Sequence, residues 1–230
     1  MVRHGGDVCI PVAGIDLVAT VDGALVWPEE RLLAIADLHL EKGSSLARRR
    51  VFLPPYDTAA TLARLVRLVA RYAPRRLVFL GDSFHDRHAA ARVLPHDRDV
   101  LRHLLRGRDA VFLAGNHDPD PPAGLEAQSA EELAVGPILF RHEPMPGAAP
   151  GEVAGHLHPV ARLPTRGRSM RRRCFAGDGA RAVLPAFGAY AGGLNVRDQA
   201  FALLFPRGLT AHVMGEERVF AFARARCLGD

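Results

Sequence analysis

Residues 77–86 read LVFLGDSFHD, an apolar run that ends in glycine and aspartate. Four successive apolar residues are typical of a buried strand, and a glycine directly after them permits a sharp exit from the sheet. Residues 110–118, AVFLAGNHD, repeat the arrangement with Asn116, His117 and Asp118 after the glycine. Two such strands predict an α/β (α+β) fold with a ligand site at the carboxyl ends of its strands.

Working outward, three more polar clusters each follow a short apolar run. They are Asp37-Leu38-His39, His142, and Gly155-His156-Leu157-His158. In the first and last cluster the polar residues are two positions apart. An extended backbone would place both on one side, with the intervening leucine facing the core. Five separate strand ends that supply His, Asp and Asn are therefore expected to converge on one point.

The chemistry of these side chains indicates a metal centre. The candidate ligands are Asp37, His39, Asp82, Asn116, His142, His156 and His158. A nitrogen and oxygen set without thiolate suits Mn, Fe or Zn ions. Seven ligands are too many for one ion that still holds a catalytic water. They match two ions about 3.5–4 Å apart, provided that one carboxylate bridges them.

The rest of the chain is expected to form one domain over residues 1–230, with helices among the first strands and mostly strands later. Residues 15–21 and 24–27 flank the turn signal Asp22-Gly23 and predict a hairpin. A helix capped by Thr58 is expected to end before Pro74, and a second is expected over residues 97–106. Among the later apolar runs, residues 201–205 are predicted as a strand.

Composition excludes several classes of protein. The chain has 230 residues, of which 48% are hydrophobic and 24% charged, so it is not a disordered or coiled-coil protein. No apolar stretch approaches the 18 or so residues that span a bilayer, and no secretory signal is visible at the start. Three widely spaced cysteines are expected to be reduced and buried. A cytoplasmic protein is the resulting expectation.

The five motifs D-x-H, GD, GNHD, H and GHxH, in this order, resemble those of the calcineurin-like metallophosphoesterases. More narrowly, ADLHLEKGSSLARRR, LGDSFHD, RHEP, GHLHP and LPAFGAYAGGLNV are similar to segments of the bacterial ligase-associated metallophosphoesterases. The resemblance implies a four-layer αββα sandwich, in which two mixed β-sheets are flanked by helices. It also implies a DNA endonuclease with a preference for single strands. Such enzymes act in DNA repair beside a large DNA helicase and an ATP-dependent DNA ligase.

The resemblance also implies roles for individual residues. Asp37, His39 and His158 would hold one metal, Asn116, His142 and His156 a second, and Asp82 would bridge both. Two cations lower the pKa of a bridging water, and the resulting hydroxide would attack phosphorus in line. His117 would stabilise or protonate the leaving group, and Asp118 would orient His117. We expect Mn²⁺, with Zn²⁺ or Fe²⁺ as alternatives.

The net charge of +5 is not spread evenly along the chain. Six of the 30 basic residues lie within residues 153–177, which contain no acidic residue and include His156 and His158. Arg168, Arg171, Arg172 and Arg173 are therefore candidates for contacts with the DNA backbone. The alternative is a solvated strand edge.

Several other side chains have two possible roles. His85 lies either beside the site as a substrate contact or on a surface loop. For Arg48, Arg49 and Arg50, contact with nucleic acid and a solvated surface position are the two alternatives. Arg64, Arg67 and Arg71 are expected on a solvated helix face. Phe187 and Tyr190 are expected to pack around turns rather than stack on bases.

Two other functions use the same residues. The first is hydrolysis of a small-molecule phosphodiester or phosphomonoester at the same metals. The second is a partner module for a helicase or ligase without enzymatic activity.

Overall fold

The computed structural model describes residues 5–119 and 124–230. In these residues a first sheet has seven strands in the order of the chain. The strands are β1 (Val8–Val12), β2 (Ile15–Ala19), β3 (Leu25–Trp27), β4 (Leu32–Ile35), β5 (Arg76–Phe79), β6 (Asp109–Leu113) and β7 (Gln128–Ala130). Neighbours are antiparallel from β1 to β4 and parallel from β4 to β7. The predicted hairpin is confirmed as β2 and β3.

In the described part of the chain, four helices lie in the crossovers of the parallel strands. They are α1 (Lys42–Arg48) and α2 (Asp57–Tyr72) between β4 and β5, and α3 (Ala89–Arg92) and α4 (Pro95–Leu105) between β5 and β6. The leucines of α2 and α4 pack with Phe79 and Phe112 on the outer face of the sheet. Because the strands run parallel, their carboxyl ends share one edge of the sheet.

The second sheet contains nine strands of the described chain and is also mixed. The strands are β8 (Glu132–Val135), β9 (Ile138–Arg141), β10 (Glu152–Ala154), β11 (Pro159–Thr165), β12 (Arg168–Gly177), β13 (Ala182–Val183), β14 (Leu194–Asn195), β15 (Thr210–Met214) and β16 (Val219–Ala223). The order is β14-β11-β12-β13-β10-β9-β8, with β15 paired to the end of β12 and β16 to β15. Strands β9, β10 and β13 run parallel.

The two sheets face each other across a shared apolar core. Leu32 and Val78 of the first sheet pack with Phe140, Val153 and Phe175 of the second. On the outer face of the second sheet, helix α5 (Gln199–Leu204) covers a further cluster. The expected sandwich of two mixed sheets flanked by helices is confirmed.

Two local predictions were wrong. Residues 201–205, predicted as a strand, lie largely in α5, whose Asp198 cap accepts a hydrogen bond from the Ala200 N–H. A short apolar run does not distinguish a strand from a buried helical turn.

Thr58, the expected helix cap, lies inside α2, and its hydroxyl donates to Glu41 Oε1 at 2.8 Å. Thr58 therefore joins α2 to the segment before α1.

The expectation of a solvated arginine face on α2 is wrong for one residue. The Arg64 guanidinium carbon lies 4.0 Å from the centre of the Phe187 ring, and burial lowers the pKa of Arg64 to about 10. Arg67 and Arg71 are exposed, as expected. Phe187 is fully buried, which confirms a packing role for this ring.

In the described ranges, no helix is both long and apolar enough to cross a membrane. Cys9, Cys174 and Cys227 are free thiols.

Candidate metal centre

The predicted site residues follow parallel strands of both sheets. Asp37, Asp82 and Asn116 come just after β4, β5 and β6, and His142 and His156 come just after β9 and β10. Two facing sheets that end at the same place bring their exit loops together. The structure therefore assembles one site from segments more than 100 residues apart in the chain.

The first group of donor atoms comprises Asp37, His39 and His158. The Nε2 atoms of His39 and His158 lie 3.3 Å apart, and His158 Nε2 lies 3.3 Å from Asp37 Oδ1. Asp37 is fully buried, so its carboxylate needs a cationic or hydrogen-bonding partner. The three atoms are close enough to share one metal ion.

The second group comprises Asn116, His142 and His156. Asn116 Oδ1 lies 2.9 Å from His142 Nε2 and 3.1 Å from His156 Nδ1, and these two nitrogens are 3.2 Å apart. His142 Nδ1 lies 2.8 Å from the Leu80 carbonyl oxygen. Because a carbonyl only accepts, Nδ1 carries the proton, and the lone pair of Nε2 is left for a metal.

The carboxylate of Asp82 lies between the two groups. Its Oδ1 is 3.5 Å from His142 Nε2, and its Oδ2 is 3.8 Å from His39 Nε2. Each oxygen therefore faces one group, which is the arrangement that a bridging carboxylate requires. Oδ1 also accepts a hydrogen bond of 2.9 Å from the His117 N–H, and this bond orients the carboxylate.

The backbone at the ligands differs from the extended form that the sequence suggested. Five of the seven predicted ligands have a positive φ, and they are Asp37, His39, Asp82, His156 and His158. A left-handed conformation costs a residue other than glycine roughly 1–2 kcal/mol. The loops tolerate it because backbone bonds join them, for example from the His39 N–H to the Asp82 carbonyl at 2.9 Å. Such strain is characteristic of functional sites.

The glycines of the motifs make room for these groups. A Cβ at Gly115 would lie 2.2 Å from the Asp82 backbone nitrogen, and one at Gly155 would lie 2.7 Å from Asp37 Oδ2. Gly81 has a φ of +74°, and a Cβ there would meet the His142 ring at 2.5 Å. The prediction of a sharp strand exit therefore holds for Gly81. At Gly115 and Gly155, the missing side chain instead lets Asp82 and Asp37 approach the backbone.

The electrostatics of the site fit bound cations. Burial, followed by the neighbouring His158, His117 and His85, lowers the pKa of His39 to about 2. Burial and the neighbouring His142 also lower the pKa of His156. Both imidazoles are therefore neutral near pH 7, and neutral imidazole is the form that binds a metal. The donor set of buried carboxylates, an amide and neutral imidazoles suits two divalent ions.

His117 and His85 stand at the edge of the centre. His117 Nε2 is 3.8 Å from Asp82 Oδ2, and the rings of His85 and His117 stack with centroids 5.1 Å apart. Nitrogen atoms of His39, His85 and His117 are close enough to form a further potential metal group. The structure thus places His85 at the site, and it is not a remote surface residue.

Asp118 does not contact His117 in the way the sequence suggested. His117 Nδ1 instead donates to the carbonyl oxygen of His85 at 2.8 Å. The Asp118 carboxylate accepts a hydrogen bond of 2.9 Å from the Phe84 N–H, and burial raises its pKa to about 7. Asp118 is therefore placed to fix the loop after β5, and the His85 carbonyl is the group that orients His117.

The supporting role of one segment was not predicted from the sequence. Residues 186–188 run beside the first motif, where the Phe187 N–H donates to the Ala36 carbonyl and the Gly188 N–H to the Asp37 carbonyl, at 2.8 and 3.0 Å. A Cβ at Gly188 would lie 2.1 Å from the Leu38 carbonyl oxygen. The glycine-rich run LPAFGAYAGGLNV was the available signal, but a run of glycines does not reveal which backbone it contacts.

The arginines of β12 divide into two kinds. Arg171 donates to the Gly193 carbonyl at 2.6 Å, and Arg173 donates to the Gly188 and Ala191 carbonyls at 2.7 and 3.0 Å. These two side chains support the glycine-rich segment. Arg168 and Arg172 are exposed, and within the described ranges their guanidinium groups make no hydrogen bond or ion pair.

Comparison with known proteins agrees with this geometry. Residues 30–169 match the calcineurin-like phosphoesterase family. The crystal structure of Pseudomonas putida nuclease MPE is 31% identical, covers 94% of this chain and 100% of its own, and superposes with a TM-score of 0.74. Yfce, a phosphoesterase from E. coli, is 15% identical over 84% of this chain and 98% of its own, with a TM-score of 0.44. No match was found among curated proteins. The chain therefore belongs to the calcineurin-like phosphoesterase family and is a metal-dependent hydrolase of phosphate esters.

Proposed function

We propose that the protein is a binuclear metal-dependent phosphodiesterase, and specifically a DNA endonuclease that prefers single strands and acts in DNA repair. The observation that carries the proposal is the pair of donor groups joined by the Asp82 carboxylate. The similarity to a nuclease over 94% of the chain supports the choice of substrate. The repair role and the helicase and ligase partners rest on the resemblance of the motifs.

Asp37, His39 and His158 would hold one ion, Asn116, His142 and His156 the other, and Asp82 would contact both. When bound, two divalent ions supply Lewis acidity toward a phosphate ester and lower the pKa of a water. We propose Mn²⁺ as the ion. The chain contributes ligands that neighbouring backbone groups orient, and four of the seven are buried, so little reorganisation is needed during the reaction.

His117 is the candidate for protonating the departing oxygen. Its Nδ1–H is held by the His85 carbonyl, so a proton on Nε2 makes the ring an imidazolium. His117 Nε2 lies 3.8 Å from the Asp82 carboxylate, so a proton on this atom faces the two ligand groups. The His117 side chain is 38% exposed, which leaves Nε2 accessible to a substrate.

DNA as the substrate is also supported by the charge near the site. Arg172 pairs with Ala161 on β11, three residues after His158, whereas Arg168 pairs with Thr165 at the far end of this hairpin. The unpaired guanidinium group of Arg172 therefore suits a backbone phosphate near the centre, and Arg168 would contact a longer strand. Such contacts do not read sequence. Arg171 and Arg173 stay in the proposal as neighbours of this surface, although their described contacts are with carbonyl oxygens.

The proposal is tested by a screen of divalent metals against four substrates: bis-p-nitrophenyl phosphate, p-nitrophenyl phosphate, and single- and double-stranded DNA. We expect hydrolysis of the diester and of single-stranded DNA with Mn²⁺. His117→Ala should lower turnover of single-stranded DNA roughly 100- to 10,000-fold, because it removes the general acid that protonates the departing sugar oxygen. Metal content, measured by elemental analysis, should be unchanged. His96→Ala, at an exposed histidine of α4, is the matched control.

Three outcomes would contradict parts of the proposal. Hydrolysis of small esters without any DNA cleavage would identify a small-molecule phosphoesterase. If no divalent metal supports hydrolysis, the remaining hypothesis is a partner module without enzymatic activity. Full activity of His117→Ala on single-stranded DNA would remove the role assigned to His117.

A further inference from the structure

We propose that residues 48–56, here called the aromatic loop, bind the unpaired nucleotides of single-stranded DNA beside the metal centre. The inference rests on the proposed function and adds the surface that selects single strands. The aromatic loop reads RRRVFLPPY and connects the end of α1 to the start of α2.

The apolar side chains of the aromatic loop are exposed and are not part of the hydrophobic core. Phe52 is 79% exposed and Tyr56 is 68% exposed, and Val51 and Leu53 are exposed as well. Among the residues that the structure describes, neither aromatic ring contacts another ring, and the Tyr56 hydroxyl makes no hydrogen bond. Grouped apolar residues on a surface indicate a binding site, whereas isolated ones do not.

The charge beside these rings decides what kind of partner fits. Arg48, Arg49 and Arg50 are exposed and make no ion pair in the described ranges. No acidic residue occurs from Lys42 to Tyr56. Unpaired guanidinium groups beside exposed aromatic rings suit a polymer that carries both phosphates and flat bases. An apolar protein partner would leave the three arginines uncompensated.

The aromatic loop is tied to the metal centre by two routes. Helix α1, which leads into it, begins at Lys42, three residues after His39. The His85 N–H donates to the Leu40 carbonyl at 2.9 Å, and the Lys42 N–H donates to the His39 carbonyl at 3.3 Å. The start of α1 is therefore joined by backbone hydrogen bonds to the first motif of the centre, and α1 leads from there to the loop.

The second route is a chain of hydrogen bonds. The Tyr190 hydroxyl donates to the Pro54 carbonyl at 2.7 Å. Tyr190 belongs to the same glycine-rich segment as Gly188, whose N–H donates to the Asp37 carbonyl at 3.0 Å. The loop is thereby held at a defined place relative to a metal ligand. Stacking requires unpaired bases, so this surface favours single strands over a duplex.

The test uses Phe52→Ala and Tyr56→Ala in the full chain loaded with Mn²⁺. Each change should raise the KM for single-stranded DNA roughly 5- to 100-fold, because one stacking platform is lost. Turnover of bis-p-nitrophenyl phosphate, which has no nucleotides beyond the scissile ester to reach the loop, should be unchanged. Phe52→Trp should retain wild-type KM. Phe220→Ala is the matched control, since Phe220 is exposed beside Arg218 on β16, away from the ligand-bearing loops.

The arginines are tested separately through salt. Arg49→Ala should reduce the slope of log KM against log salt concentration by about 0.7, the value for one phosphate contact on a single strand. An unchanged slope would remove Arg49 from the binding surface. Thermal unfolding followed by circular dichroism shows whether any variant is misfolded.

The outcomes separate this inference from the proposed function. If wild type cleaves single-stranded DNA while both alanine variants keep its KM, the inference is overturned and the nuclease stands. Equal increases in KM for single- and double-stranded DNA would overturn stacking on unpaired bases. A change of oligomeric state by light scattering with unchanged KM would assign the loop to a second copy of the chain. If wild type cleaves no DNA, the proposed function fails and this inference fails with it.

Discussion

Gly115 shows how closely single residues define the metal centre. A Cβ at this position would lie 2.2 Å from the Asp82 backbone nitrogen, 2.3 Å from Asp82 Oδ1 and 2.7 Å from Asp118 Oδ1. The nearest of these atoms is backbone, and the two carboxylates accept hydrogen bonds from the His117 and Phe84 N–H groups, so relief would require movement of the loop itself. The glycine therefore permits the bridging carboxylate to approach the next strand exit.

Gly115→Ala is expected to lower the free energy of unfolding by about 1–3 kcal/mol, the usual cost of an overpacked site. It should also reduce diester turnover, because Asp82 is displaced. Gly192→Ala is the control, since nothing lies within 4 Å of a Cβ there. Urea denaturation should show a change of no more than about 0.5 kcal/mol for the control. Equal effects of both substitutions would contradict the packing argument.

At the scale of elements, an ion pair holds the loop after β5 against two helices. Arg92, at the end of α3, donates to both carboxylate oxygens of Asp86 at 3.0 and 2.6 Å. Its Nε donates to Ser44 Oγ on α1 at 2.9 Å. Because Asp86 directly follows His85, the pair fixes the part of the loop that orients His117.

The Asp86 pair is expected to make stability depend on pH in the acid range. The hydrogen bonds from Arg92 lower the pKa of Asp86 well below its usual value. A depressed carboxyl pKa stabilises the fold above the usual value near 4, and the stabilisation is lost as the pH falls below it. Asp86→Asn should therefore cost about 1 kcal/mol at pH 7, since the pair is partly exposed, and progressively less below about pH 4.

Urea unfolding of wild type and Asp86→Asn at pH 7, 5 and 3 checks this prediction. Asp99→Asn is a suitable control, because Asp99 is exposed and lies 3.5 Å from Arg102 in a loose pair within α4. A difference between wild type and Asp86→Asn that stays constant from pH 7 to pH 3 would show that the carboxylate charge is not responsible.

At the scale of the molecule, the candidate ligands connect the two sheets. Asp37, Asp82 and Asn116 follow strands of the first sheet, and His142 and His156 follow strands of the second. Bound ions would therefore join both halves of the sandwich at one edge. Ligands that bind only the folded state stabilise it by mass action.

Mn²⁺ at about 100 times its Kd is expected to add about 2.7 kcal/mol to the free energy of unfolding. For a chain of this size, that corresponds to an increase in Tm of roughly 5–10 °C. Differential scanning calorimetry with Mn²⁺ and with a chelator measures the effect. Asp82→Asn should lose most of it, whereas Asp16→Asn, at an exposed position of β2, should keep it. An equal Mn²⁺-dependent increase in Asp82→Asn would contradict the bridging position.

The sequence predicted the buried strands and the ligand residues, but not all local structure or hydrogen-bond partners. Apolar runs that end in Gly-Asp or Gly-Asn identified β5, β6 and their exits, because buried parallel strands have a readable pattern. The helical form of residues 201–204 was missed, since its deciding signal is one cap at Asp198. The partner of His117 was also missed, because the His85 carbonyl is a backbone atom that every residue possesses.

By itself, the sequence determined the chemistry of the centre: which donor types are present, in which order, and that two ions suit them. The type of each residue and its position directly after an apolar run can be read from the sequence, and neither depends on how the strands pack. Only the tertiary structure decided that Asp82 lies between the two groups, that five ligands adopt a left-handed backbone, and that carbonyl oxygens orient His117 and His142. These features depend on atoms brought together from remote segments of both sheets, and no stretch of the chain encodes them alone.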